Sequence, residues 1–378
     1  MSDHKHFLDL AAKLAVRSLG LVEPNPPVGC VIVRDGAVIG AGHHRRFGGL
    51  HAERDALAAM KAAGVDPRGA TAYVTLEPCN GHGKQPPCVA ALIEAGVARV
   101  VFAAHDPNPA KAGGAAALCA AGIAAEFSAE SPLAAALVGP FVKRLRTGLP
   151  WVIAKWAQSI DGRIATRTGE SQWISGERSR RRVHEIRSRM DAIITGLGTV
   201  NADDPMLTAR GVPVRRVARR VVLDADLDIS VDRKLVRTAR ETPTIVVCDE
   251  SLLGAAIAVH KVNALREAGV EIIGVPQAGG HGRLDLRAAL RALVDRHLVT
   301  NVLIESGPGL MGSCFADDLV DEAVVYVAPI LFADDQARPA AAGMMTPRLA
   351  DARRFTLARA KPVGGDVELV YRRARTPD

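Results

Sequence analysis

The chain has 378 residues, 48% of them hydrophobic, with a formal net charge of +7. That length is more than one hydrophobic core usually serves, so two domains are expected. No apolar run reaches the roughly 20 residues of a membrane helix, six scattered cysteines do not build a disulfide scaffold, and aromatics at 4% offer little for base stacking despite the positive charge.

Phe7 to Gly20 carries apolar residues at helical spacing, and between Val28 and Gly42 two β-branched runs flank Asp35-Gly36, a hairpin turn signal. A helical Ala-rich stretch follows His51. Then come a strand at Ala70–Leu76, a helix at Pro87–Ala95, a strand at Arg99–Ala103 and another helix-strand pair through Phe127. This alternation predicts an α/β layer with a largely parallel sheet. Ser131–Leu149 reads as one more helix, ended by Gly148 and Pro150, with a new strand from Trp151. The boundary is placed near residue 147, giving domains 1–147 and 148–378. In the second, Asp191–Gly196, Arg220–Asp224, Thr244–Cys248, Val270–Val275 and Asn301–Glu305 read as strands separated by helices, a Rossmann-type α/β pattern. Ala110–Ala125 is Ala-rich, but no internal repeat emerges. Residues 1–13 are charged and lack a small-residue cleavage site, so no secretory signal is read and the cytoplasm is the expected compartment.

His51-Ala52-Glu53 opens one predicted helix; Glu77-Pro78-Cys79 follows a strand and Pro86-Pro87-Cys88 opens another helix. One His and two Cys form a three-ligand zinc set that leaves the fourth tetrahedral position to water, as catalytic zinc requires. The pattern is that of zinc deaminases, although their second Cys usually follows after two residues rather than eight. Zinc brings the pKa of bound water from about 15.7 towards about 7. Glu53, two residues from the ligand, is then the general acid-base that takes the water's proton and returns it to ammonia. A structural zinc site would want a fourth ligand, for which His82 is the local candidate; buried cysteines and a helix-start histidine without metal are the other bland alternative. In the second half, Thr195-Gly196-Leu197-Gly198-Thr199 and Glu305-Ser306-Gly307-Pro308-Gly309 each follow a strand. Neither is a dinucleotide fingerprint, so an ordinary tight turn competes with phosphate binding.

Pro24 to Cys30 (PNPPVGC), His51-Ala52-Glu53, Thr75 to Cys79 (TLEPC) with Pro86-Pro87-Cys88, and Asp106-Pro107-Asn108-Pro109 together resemble the bifunctional deaminase–reductase family of riboflavin biosynthesis. The second half is similar to the reductase of that family in Lys155–Arg163, Gly169–Ser175, Val183–Arg187, Asp191–Arg210 and Asp321–Pro329. The resemblance implies a cytidine-deaminase-like α/β/α domain followed by a dihydrofolate-reductase-like α/β domain. It implies hydrolytic deamination of a phosphoribosylated diaminopyrimidine, then reduction of its ribosyl unit to a ribityl chain. Zn2+ and NADPH are the implied cofactors, and a homo-oligomer is the implied assembly.

By the same resemblance Asn25, His43, His82 and Lys84 contact the deaminase substrate. Ala157, Trp173, Ser175, Thr199 and Asp203 line the NADPH site with the turn of Ser306, Gly307, Pro308, Gly309, Leu310, Met311 and Gly312. Ser171, Arg187, Leu207, Arg210 and Glu305 hold the phosphoribosyl substrate. The chain departs from the family at Asn80-Gly81 (usually Ser-His), Lys111 (usually apolar), Ser306 (usually Gly) and Phe332-Ala333, where a glycine after Leu331 is missing. The rival readings are a nucleoside or tRNA deaminase with a fused accessory domain, a basic nucleic-acid-binding protein with structural zinc, and a chain with one half degenerate and only one activity.

Overall fold

The computed structural model describes residues 3–279 and 282–373. The chain divides into two compact units, Met1–Leu149 and Pro150–Asp378.

The first unit runs α1 (His4–Ala15), β1 (Gly29–Arg34), β2 (Ala37–His43), α2 (Ala52–Ala62), β3 (Thr71–Val74), α3 (Cys88–Ala95), β4 (Arg99–Phe102), α4 (Gly114–Ala120), β5 (Ala124–Phe127) and α5 (Pro132–Thr147). Asp35 and Gly36 both take positive φ, which lets the β1–β2 hairpin close on two residues. The sheet order is β2-β1-β3-β4-β5. It is mixed rather than largely parallel: β1 is antiparallel to both neighbours, and only β3, β4 and β5 run together. The hairpin turn fixes the first antiparallel pairing, but β3 lies beyond α2, and a crossover of that length leaves its direction to packing.

Alternation along the strands supplies two cores. Cys30 and Ile32 of β1, with Ala72 and Val74 of β3, pack under α2, α3 and α4. Val31, Val33 and Tyr73 face α1 and α5 on the other side. A fully buried side chain such as Ile32 contributes about 1.5–3 kcal/mol through burial alone. The three layers leave the carboxyl end of β3 and the amino ends of α2 and α3 at one edge.

The second unit runs β6 (Trp151–Gln158), β7 (Arg163–Ala165), α6 (Glu177–Arg187), β8 (Ala192–Gly196), α7 (Leu197–Asp203), β9 (Arg219–Leu223), α8 (Lys234–Arg237), β10 (Thr244–Asp249), α9 (Val259–Glu267), β11 (Glu271–Val275), α10 (Leu286–His297), β12 (Asn301–Ile304), α11 (Pro308–Ala316), β13 (Glu322–Val327), β14 (Arg338–Pro339), β15 (Phe355–Val363) and β16 (Asp366–Arg373). Its main sheet has the order β11-β10-β9-β8-β12-β6-β13-β16-β15.

The strands from β11 through β13 run parallel, whereas β16 and β15 add an antiparallel edge. This order is not that of a Rossmann fold: β6 lies between β12 and β13, and the last hairpin widens the sheet. Mostly exposed β15 carries no apolar alternation, so periodicity gave no sign of it. The central neighbours β8, β12 and β6 end at one edge, where an open α/β sheet places its ligand.

Candidate active sites

In the first unit, His51 is the residue before α2, Cys88 the first residue of α3, and Cys79 sits in the loop after β3. The three converge. His51 Nδ1 lies 3.5 Å from Cys79 Sγ and 3.4 Å from Cys88 Sγ, and all three ligand atoms fall within 4.8 Å of one another. Tetrahedral zinc with Zn–S and Zn–N bonds of about 2.3 and 2.05 Å separates such donors by about 3.6 Å, so the set fits the ion. Both thiols are buried. The hydrogen bond from Cys88 draws the Cys79 thiol down to about 4, towards the thiolate that binds metal, while the same pairing, with burial, pushes Cys88 up. His82 is exposed and not part of this cluster, so it supplies no fourth ligand.

Glu53 is buried in the first turn of α2, and burial, reinforced by the Cys79 charge, holds its carboxyl above the ordinary value. Glu77 is buried as well. Its carboxylate accepts from the amides of Asp106 (3.2 Å) and Ala115 (2.9 Å), tying the 105–108 loop and the start of α4 to the cysteine loop. Asp106, raised by burial, in turn accepts from the Asn108 amide at 2.9 Å.

Of the adjacent histidines, His44 is the one turned to this cluster. Its ring lies 5.4 Å from that of His51. Its Nδ1 donates to the Leu50 carbonyl at 2.8 Å, leaving Nε2 to accept from Asn25 Nδ2 at 3.2 Å. Burial lowers its pKa, which suits that neutral form. His43 ends β2, its amide bonded to Asp55 at 3.1 Å. The family resemblance puts the substrate contact at His43, whereas the ring that meets Asn25 and His51 is that of its neighbour His44. Lys84 is exposed, its ammonium 4.0 Å from the centre of the Phe47 ring.

The second unit contains a cavity of about 830 Å³ at the carboxyl ends of β6, β8 and β12. Ala157, Trp173, Ser175, Thr199 and Asp203 line it, as does the turn of Ser306, Gly307, Pro308, Gly309 and Leu310. Met311 and Gly312 do not reach it. Met311 is buried, and a Cβ on Gly312 would lie 1.8 Å from the Ala342 carbonyl oxygen, so both serve the packing of α11. The Gly196 amide donates to Ser306 Oγ at 3.3 Å and the Gly307 amide to Thr199 Oγ1 at 3.2 Å, so the serine that departs from the family pattern stitches the two glycine turns together. Trp173 is 70% exposed, with Arg180 stacked 4.6 Å from its ring centre; it is a cavity-edge aromatic and not a core one.

Ser171, Leu207, Arg210, Arg187 and Glu305 also line the cavity. Glu305 receives a bidentate fork from Arg187 (2.6 and 2.9 Å) and the ammonium of Lys155 (3.3 Å). Burial alone would raise this carboxyl; the two cations override it and hold it at about 2. Lys155 stands at the head of a motif with no local sign of a partner, and its pairing with Glu305 across 150 positions is visible only in three dimensions. Arg210 is exposed, its backbone amide bonded to His184 Nδ1 at 3.2 Å.

The zinc-binding region of cytidine and deoxycytidylate deaminases matches residues 1–104, and the RibD C-terminal domain matches residues 150–369. The riboflavin biosynthesis protein RibD of Escherichia coli is 38% identical, over 96% of this chain and 97% of its own. The chain belongs to the RibD family. Among solved structures, RibD of Acinetobacter baumannii is 34% identical over 99% of both chains, with a TM-score of 0.82. The deaminase/reductase of Thermotoga maritima is 30% identical over 98% of this chain and 99% of its own, with a TM-score of 0.81. Both RibD halves are present, so the chain is a bifunctional deaminase and reductase of riboflavin biosynthesis, with a cytidine-deaminase-like domain followed by a RibD reductase domain. That favours the bifunctional reading over the monofunctional chain and over the fused tRNA deaminase. No helix among the described residues is long and apolar enough to cross a membrane.

Proposed function

We propose that the two steps are run by zinc on His51, Cys79 and Cys88 and by NADPH in the 830 Å³ cavity of the second unit. The observation that carries the reading is the convergence of one imidazole and two sulfurs at tetrahedral zinc spacing, with buried Glu53 beside them. A zinc ion there supplies the electrophile that makes water nucleophilic at neutral pH. Glu53 takes the attacking water's proton and hands it to the departing ring amino group, a transfer suited to a carboxyl whose affinity for protons burial has raised. Asn25 and His44 hold the pyrimidine edge, and Lys84 with His82 faces the phosphate.

In the second unit NADPH supplies the hydride. Trp173, Ser175, Thr199 and the 306–310 turn bind the cofactor, while Ser171, Leu207 and Arg210 hold the phosphoribosyl unit. Arg187 acts chiefly through Glu305, whose carboxylate it orients, and the Lys155 ammonium on that carboxylate delivers the proton to the ring oxygen as the sugar opens. The cavity lies within the 300–1,000 Å³ of ordinary small-molecule sites. The partner is the phosphoribosyl-pyrimidine itself.

The test is Glu53→Gln. Ammonia release from the phosphoribosylated diaminopyrimidine should fall by about 100- to 10,000-fold, while zinc stays bound and reduction of the already deaminated substrate proceeds at the wild-type rate. A variant within threefold of wild type in ammonia release would remove Glu53 from the chemistry.

A further inference from the structure

We infer that Lys111 is a positioning residue of the deaminase site, which fixes the loop between the two cysteines so that its substrate-facing side chains are presented. The excursion of residues 80–87 between Cys79 and Cys88 contains no helix or strand. Its backbone carbonyls are gripped by two cations, one at each end. Near Cys88, Arg54 Nε and Nη2 donate to the carbonyls of Pro86 (3.1 Å) and Pro87 (3.0 Å). Near Cys79, Lys111 Nζ donates to the carbonyl of Gly81 at 2.9 Å and to that of His82.

Two consecutive carbonyls on one ammonium fix the two peptide planes that flank the His82 Cα, and so the direction in which His82 leaves the chain and the point from which the backbone runs on to Lys84. Donors that carry charge bind carbonyls more strongly than neutral ones, which suits a segment lacking its own backbone ladder. The fit is built on both sides. The Asn80 amide donates to the Lys111 carbonyl at 2.9 Å, and the Lys111 amide to that of Asn108 at 2.8 Å. A Cβ on Gly81 would stand 1.9 Å from the Ala110 carbonyl oxygen, so backbone bars any side chain there, and one on Gly83 would stand 2.7 Å from Lys111 Nζ and push the ammonium off its place across the loop. Loss of Lys111 loosens the half of the loop that bears His82 and Lys84, while Arg54 still holds the half that leads into Cys88.

This assignment rests on the deaminase reading above. In Lys111→Met, KM for ammonia release should rise about tenfold, the loss of a hydrogen bond to a charged group, with kcat within threefold, zinc content unchanged and reductase turnover unchanged. Lys111→Arg, which keeps a charged donor, should return KM to within threefold of wild type. A Lys111→Met enzyme with wild-type KM, an arginine variant no better than the methionine one, or a parallel fall of kcat and bound zinc would each overturn the positioning role. Wild-type enzyme that releases no ammonia from the phosphoribosylated diaminopyrimidine would instead overturn the deaminase reading itself, and this assignment with it.

Discussion

Glu305, its side chain 10% exposed, shows how one partly buried carboxylate can organise a cavity. With Arg187 and Lys155 both on it, neutralising it strands two cations in a poorly hydrated wall, and removing one partner of a buried pair typically costs about 3–5 kcal/mol. Glu305→Gln should therefore lower the denaturation midpoint of the second unit as well as its turnover. Arg210, exposed and unburdened by such a pair, is the contrasting case. Arg210→Ala should leave the midpoint unchanged but weaken binding of the phosphoribosyl substrate by about 1.5 to 3 kcal/mol, roughly 10- to 150-fold. Parallel titrations of substrate and NADPH decide the matter: a loss confined to NADPH would mean the two ligands occupy each other's places. The family resemblance gives the two arginines the same role, holding the phosphoribosyl substrate. Only the fold shows that one is spent on Glu305.

At the scale of elements, the chain's departures from the family pattern acquire local explanations. The glycine missing after Leu331 leaves Ala333 at φ +50, a conformation unfavourable for any residue with a Cβ. The cost is partly offset by Asp161, whose carboxylate accepts from the amides of Phe332 (3.3 Å) and Ala333 (2.9 Å). Ala333→Gly should stabilise the second unit by about 1 kcal/mol, read as a rise in melting temperature; a fall would show that the loop depends on the alanine methyl. Helix ends were legible for a similar local reason. Ser131 caps α5 by accepting from the Ala134 amide at 3.1 Å, and Gly148 closes that helix at φ +67, both short-range geometries that residue type specifies.

At the scale of the molecule, each unit has its own sheet, core and cavity or cluster, and among the described residues the metal-ligand cluster lies in the first unit. Stripping the metal with a strong chelator should abolish ammonia release while reduction of the deaminated substrate stays within twofold, and added zinc should restore the first activity. A parallel loss of both would place a metal requirement in the second unit too. The sequence by itself determined the elements built from local periodicity, the His51, Cys79 and Cys88 set that the fold brings together, and the presence of two α/β units. These are written in short motifs whose chemistry demands particular residues at particular spacing. Tertiary structure alone decided the antiparallel placement of β1 beside β3, the insertion of β6 between β12 and β13, and the exposed β15–β16 edge, because strand order follows from how helices cover a sheet and not from any one strand's pattern. It alone decided that His44 and not His43 meets Asn25, that Lys155 meets Glu305, and that Lys111 crosses to Gly81 and His82. Each is a contact between residues far apart in the chain, or a choice between neighbours that depends on where a strand ends, and neither leaves a mark on local sequence.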